Sequence, residues 1–208
     1  MEETINQILK LLDYKYGKEA ICYLNYTKDY ELMVATILAA QCTDERVNKV
    51  TEKLFIKYNK IEDFAECDIA ELEQDVFQTG FYRNKAQNIK RSCGQLITDY
   101  SKNMPMDIET LTKLAGVGRK TANVILTHIF KQPSIVVDTH VKRVSYRLGL
   151  TKEKDPTKIE FDLMKVLPKE NWARYNSQIM ALGRTMCKGQ KPKCGECFLE
   201  EHCGKILV

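Results

Sequence analysis

The stretch 111-LTKLAGVGRKTANVIL-126 sets two glycines, an arginine and a lysine at the mouth of an apolar helical run. A helix made only to pack wants neither the glycines nor a buried cation. Glycine tolerates positive φ and lets a second backbone come close. The first N–H groups of the following helix have no intrahelical partners. With the helix dipole they make a site for an anion, and Arg119 adds a charge. Lys120 stands one turn from an anion held there. The positive end of a dipole, with Arg119 beside it, favours the neutral amine, which is a nucleophile and forms Schiff bases. A second cation for the same anion is the plainer use of Lys120, and its position does not separate the two.

Asp138 follows 18 residues later in 137-VDTH-140. A carboxylate at a helix N-terminus accepts N–H bonds and stays ionised. It can cap the helix and no more. It can also stabilise positive charge developing at a reacting carbon, or orient and deprotonate an amine. Thr139 and His140 are placed to support it. A third group is C-x6-C-x2-C-x5-C, formed by Cys187, Cys194, Cys197 and Cys203. Four thiols in one short segment point to a metal. Structural zinc sites usually pair two close knuckles across a longer gap. One CxxC flanked by wider gaps better suits wrapping a four-iron, four-sulfur cubane. Between Cys187 and Cys194 the loop reads KGQKPK and displays Lys188, Lys191 and Lys193, a plausible phosphate contact.

The elements that must carry these groups read as helices. Ile5, Ile8, Leu11 and Leu12 form an amphipathic stripe, and residues 30–41 are apolar almost throughout, as in a central helix. Thr43 and Asp68 have the character of N-caps. Asn84 to Tyr100 is helical in pattern, Asp107 suits the cap of a helix carrying Leu111 and Leu114, and the next helix covers Thr121 to Phe130. Residues 134–137 favour β structure but are isolated, and Pro156 suits the first turn of a helix through Val166. No period-two pattern recurs, so the expected class is all-α. Cys22, Cys42, Cys67 and Cys93 lie in helical patterns and read as small apolar residues.

The 208 residues allow one large domain or two small ones. No signal-peptide pattern and no membrane-length apolar run occur, so a cytoplasmic protein without a membrane segment is expected. Residues 1–78 hold 9 Lys/Arg against 16 Asp/Glu, whereas residues 79–208 hold 23 against 12. That asymmetry suggests a polyanion at the second part, although an uneven solvated surface has the same composition. A bare GxG is most often a tight turn between two packed helices, and the flanking pattern hydrophobic-x-G-x-G-x-K/R-T-A is much more specific. It looks like a helix-hairpin-helix, which holds the DNA backbone without reading sequence.

Taken together, LAGVGRKTANVIL, VDTHVKRVSYRLGL and the cysteine spacing, with LAAQCTD near residue 41, resemble the endonuclease III family of the helix-hairpin-helix superfamily. The similarity covers nearly the whole chain. It implies two helical lobes with duplex DNA over the cleft between them. One lobe would span residues 20–133 and hold the hairpin; the other would join residues 1–19 to 134–208 and carry a 4Fe-4S loop at 187–203. It implies a monomeric, nucleoid-associated repair enzyme. Such an enzyme removes oxidised or ring-saturated pyrimidines and cleaves the strand 3′ to the abasic site by β-elimination. Lys120 matches the family's nucleophile and Asp138 its catalytic aspartate. Gln41 matches the residue that enters the gap left by a flipped nucleotide. Phe81 stands at a wedge position that is usually aliphatic, and Ala115 replaces a common proline. Gly116, Val117, Gly118, Arg119, Thr121, His140, Lys191 and Lys193 complete the expected DNA contacts. The sister branch that removes adenine usually lacks the lysine and has a catalytic glutamate where Ile37 stands.

Overall fold

The computed structural model describes residues 2–206. They form eleven α-helices and four one-turn 3₁₀ helices, and no strand occurs among them. The chain divides into two compact units, Cys22–Phe130 and the residues up to Ile21 joined by those from Lys131 onward.

The contiguous unit begins with α2 (Asp29–Leu38), which follows α1 (Glu2–Tyr16) of the other unit. Residues Leu32 to Leu38 of α2 are all buried, which is what an uninterrupted apolar run requires. Around α2 pack α3 (Asp44–Lys57), α4 (Ile61–Glu66), α5 (Ile69–Val76), α6 (Tyr82–Tyr100), α7 (Ile108–Leu111) and α8 (Arg119–His128). The caps are local chemistry. Thr43 accepts from the Arg46 N–H at 3.4 Å, Asp68 from Ala70 and Glu71 at 2.7 and 3.1 Å, and Asp107 from Thr110 at 2.8 Å. Phe64 is fully buried, with the Tyr58 ring stacked 4.9 Å away.

The structure departs from the sequence pattern in three places. The central helix stops at Leu38, and Gln41 lies beyond it in the left-handed region at φ 54°. Leu114 falls outside α7, in the turn leading to the glycines, so the apolar pattern outlasts the helix. Of the scattered cysteines only Cys93 is buried inside a helix; Cys22 and Cys42 are half-buried in connections, and Cys67 is the C-cap of α4.

The second unit packs α1, α9 (Thr139–Leu148), α10 (Pro156–Val166) and α11 (Trp172–Thr185) around Ile8, Leu12, Val141, Val144, Leu163, Tyr175 and Ile179. Residues 134–137 are buried and form no strand; the Asn176 side chain donates to the Val136 carbonyl at 3.0 Å. Asp155 caps α10, with Pro156 in its first turn. The Arg174 guanidinium grips both oxygens of Asp13 at 2.7 and 3.0 Å and ties α11 to α1. Burial opposes the charged Asp13 carboxylate, but hydrogen bonds from Arg174 and Gln178 outweigh it and hold the pKa below the usual 3.8.

Candidate active site

The glycine turn is built from α6. Gly116 sits at φ +75°, and a Cβ there would lie 2.7 Å from the Asn88 Cβ on α6. Gln95, further along α6, accepts from the Ala115 N–H at 2.8 Å and donates to the Lys113 carbonyl at 3.2 Å. The loop is therefore bolted to a nineteen-residue helix at two points, and glycine at 116 serves that internal fit. Gly118 differs. It is extended at φ −89°, and a Cβ there would meet nothing within 4 Å. As N-cap of α8 it offers no side-chain oxygen to the first turn. The open face suits a closely approaching external oxygen, and the fold itself does not demand glycine there.

Val117 and Thr121 are buried behind this turn, and Arg119 is half-buried in it. Lys120 is the second residue of α8, exposed, with no ion-pair partner among the described residues. An amine that attacks a sugar carbon has to be reachable, and this one is. Elsewhere in the same unit, Gln41 and Phe81 are both exposed and both left-handed, at φ 54° and 49°. Such a conformation costs a non-glycine residue about 1–3 kcal/mol; Ser101, Lys102, Lys131, Lys191 and Lys205 adopt it too.

The other unit holds the aspartate and the cysteines. Asp138 is half-buried and caps α9, its Oδ1 accepting from the Val141 N–H at 2.7 Å. His140 is turned inward: its Nδ1 lies 3.2 Å from Arg143 Nη2, and a Cβ on Gly183 would come within 2.6 Å of that nitrogen. Gly183 thus lets α9 and α11 close over the His140–Arg143 pair. Arg143 donates twice to the Cys187 carbonyl, at 3.2 and 3.0 Å. Arg147, one turn on and buried, reaches the Gly189 carbonyl at 2.9 Å and the Cys187 Sγ at 3.5 Å. The Arg147 carbonyl accepts from the Cys203 thiol at 3.4 Å. One face of α9 therefore holds both ends of the cysteine segment.

Cys187, Cys194, Cys197 and Cys203 are free thiols lining one cavity with Val144, Leu182 and Leu199. Among the described residues no three His, Cys, Asp or Glu side chains converge to hold a single metal ion. Four thiolate donors around one cavity are a ligand set suited to a structural zinc or to an iron–sulfur cluster. The connecting loop displays Lys191, exposed at φ 49°, and Lys193, paired with Glu196 at 3.2 Å on the surface.

The comparisons with known proteins bear on both units. Residues 34–169 match the family model of the HhH-GPD superfamily base excision DNA repair proteins, and residues 187–203 match the iron–sulfur binding domain of endonuclease III. An endonuclease III from Synechocystis is 46% identical over 203 residues, covering 97% of this chain and 92% of its own length. One from Bacillus subtilis is 46% identical over 185 residues, 88% and 84% of the two chains. The chain belongs to the endonuclease III family. A solved non-covalent complex of an endonuclease III with DNA superposes with a TM-score of 0.93 at 43% identity, covering 99% of this chain and 97% of that one. A thermostable thymine-DNA glycosylase, 21% identical with a TM-score of 0.84 and coverage of 97% and 95%, shares the fold. Membership settles the choice left open by spacing: the cofactor is a 4Fe-4S cluster.

Several residues that build this endonuclease III site carry no motif. Asn88 and Gln95 brace the hairpin, while Arg143 and Arg147 brace the cluster loop. A signal existed for Arg147. With His140 and Arg143 it falls at helical spacing beside the apolar Val144 and Leu148, and a cation at the edge of a buried stripe needs acceptors.

Proposed function

We propose that Lys120 is the nucleophile and Asp138 the assisting carboxylate of this enzyme, and that its substrates are oxidised and ring-saturated pyrimidines in duplex DNA. The chain is a base-excision DNA glycosylase and abasic-site lyase. A relative 43% identical to it has been captured as a covalent intermediate with DNA, and a covalent intermediate requires a nucleophile. The observation that carries the assignment is an exposed Lys120 in the first turn of α8, two residues after an N-cap glycine open to solvent. In that position the hairpin holds a phosphate while the amine faces the sugar.

The reaction follows from these groups. The damaged nucleotide leaves the stack at a cost of a few kcal/mol, least for a ring that stacks badly, such as a saturated thymine. Gln41 and Phe81 occupy the gap. The Lys120 amine attacks C1′, the C1′–N bond breaks, and the base departs with the bonding electrons and takes up a proton. Asp138 stabilises the positive charge that develops at C1′ and receives the proton lost by the amine. The C1′–O4′ bond then opens with a proton passing to O4′, and the resulting protonated imine acidifies C2′. Loss of the C2′ proton expels the 3′ phosphate, and water then hydrolyses the imine and frees the lysine. Cys187, Cys194, Cys197 and Cys203 would hold the 4Fe-4S cluster, which would pin the loop displaying Lys191 and Lys193; we assign those lysines to phosphate contacts, with His140 supporting Asp138 from inside the unit. The enzyme acts as a monomer on the nucleoid.

Borohydride trapping on a duplex with one thymine glycol tests this. Wild type forms a covalent adduct, whereas Lys120→Ala forms none, loses strand cleavage and keeps most of its DNA affinity. An adduct with Lys120→Ala, or an equal loss of binding, overturns the assignment.

A further inference from the structure

Lys85 is a lysine at a core position. It lies on the face of α6 shared by Ala86, Ile89 and Leu96, and is only 4% exposed. Burying an ammonium costs several kcal/mol unless acceptors meet it. Two do. Its Nζ donates to the Leu38 carbonyl at 2.8 Å and to the Thr79 carbonyl at 2.7 Å. Burial pulls its pKa below the usual lysine value, with the neighbouring Cys42 acting in the opposite direction.

The identity of those acceptors gives the lysine its meaning. Leu38 is the last residue of α2, so its carbonyl is one of the orphans at the negative end of a helix dipole, where a cation is favoured. Three residues on is Gln41. Thr79 closes the 3₁₀ turn, and two residues on is Phe81. The Lys85 backbone N–H also donates to the Phe81 carbonyl, at 3.1 Å. One residue therefore ties together the two segments that carry Gln41 and Phe81. Each of those side chains is exposed on a left-handed backbone that the surrounding structure has to enforce.

We propose that Lys85 is a positioning residue that sets the spacing and attitude of Gln41 and Phe81, and through them the filling of the gap left by the flipped nucleotide. This rests on the gap-filling reading of Gln41 and Phe81. Lys85 touches no substrate. A general packing role would lower stability alone, whereas the strut predicts a loss of base release that depends on the two side chains it places.

The test is a double-mutant cycle on the cluster-loaded enzyme, measuring single-turnover base release from a thymine glycol duplex. Gln41→Ala with Phe81→Ala gives the first leg, and Lys85→Met, close in length but without a donor, the second. Misplacement by about an ångström costs on the order of a hundredfold, so Lys85→Met alone slows release roughly tenfold to a hundredfold. In the Gln41→Ala, Phe81→Ala background it costs less than about threefold. An equal loss in both backgrounds, or no loss in either, overturns the strut. If Gln41→Ala with Phe81→Ala releases base at the wild-type rate, the gap-filling reading fails and the strut with it. Should Lys85→Met not fold, the same cycle is run with Lys85→Gln, which keeps a donor for one carbonyl and gives an intermediate loss subject to the same comparison.

Discussion

Two glycines two residues apart separate fold from function in the hairpin. Gly116→Ala places a methyl group 2.7 Å from the Asn88 Cβ, and that carbon is fixed to the backbone of α6 and cannot swing aside. It also forces an L-residue to φ +75°, worth about 1–2 kcal/mol. Adding roughly 1–2 kcal/mol for the overlap gives a loss of about 2–4 kcal/mol. For a chain of this size that lowers the melting temperature by roughly 5–15 °C. Gly118→Ala meets nothing within 4 Å at an ordinary φ of −89°. Reduced freedom of the unfolded chain stabilises it by a few tenths to 1 kcal/mol, and the poorer N-cap preference of alanine takes back a similar amount. Its melting temperature stays within roughly 3 °C of wild type.

DNA affinity reverses the order. A methyl group at Gly118 stands where a phosphate oxygen would approach the first turn of α8. Losing one charge-assisted hydrogen bond costs about 1.5–3 kcal/mol, or roughly tenfold to a hundredfold in Kd. The assay pairs thermal melting with anisotropy titration of a duplex carrying an uncleavable abasic analogue, at one fixed salt concentration. A Gly118→Ala protein that binds like wild type would refute the phosphate site. One that melts as low as Gly116→Ala would refute the claim that the fold does not need this glycine.

Asp138→Asn keeps an equally good N-cap, so melting is unchanged while single-turnover base release falls at least about tenfold; a normal rate leaves only the cap. Asp138→Ala loses the rate and a further ~1 kcal/mol of stability, visible as a lower melting temperature. Replacing Lys191 and Lys193 with alanine flattens the slope of log K against log salt by up to about 2 units, and an unchanged slope removes the loop from the interface. Asp13→Asn lowers stability by about 2 kcal/mol near neutral pH. The Asp13 pKa is depressed in the folded state, so its contribution is full above the unfolded value near 3.8 and fades as pH falls through the folded value below it. The gap between wild-type and Asp13→Asn melting temperatures therefore closes under acid; a constant gap would disprove the linkage.

What was legible in the sequence was chemistry settled within four residues. Thr43, Asp68, Asp107 and Asp138 cap helices because an oxygen at a fixed offset meets an orphan N–H, whatever lies elsewhere in the chain. The cysteine spacing was legible because all four thiols fall within residues 187–203, a single short segment. What was not legible depends on distant partners. The Leu38 carbonyl is 47 residues from Lys85, and the Gly189 carbonyl is 42 from Arg147. The apolar run through Ala40 gave no warning that α2 stops at Leu38, since the chain is still partly covered where it turns. Leu114 kept its apolar character outside α7 because a turn packed on the core needs a leucine as much as a helix does; it is only 2% exposed.

The left-handed residues show where the chain accepts strain. At Gly116 the conformation is taken by glycine, the residue that adopts it without penalty, and there the side chain would only collide. Gln41 and Phe81 adopt nearly the same conformation with large side chains that are exposed to solvent and contribute little to the core. Glycine would be the more stable choice at both positions if the fold alone were at stake. A glutamine and a phenylalanine held there against their own preference, with a buried lysine bridging the segments behind them, make sense when the exposed side chains themselves are needed. That is the arrangement expected of residues that must enter a space the protein does not itself contain.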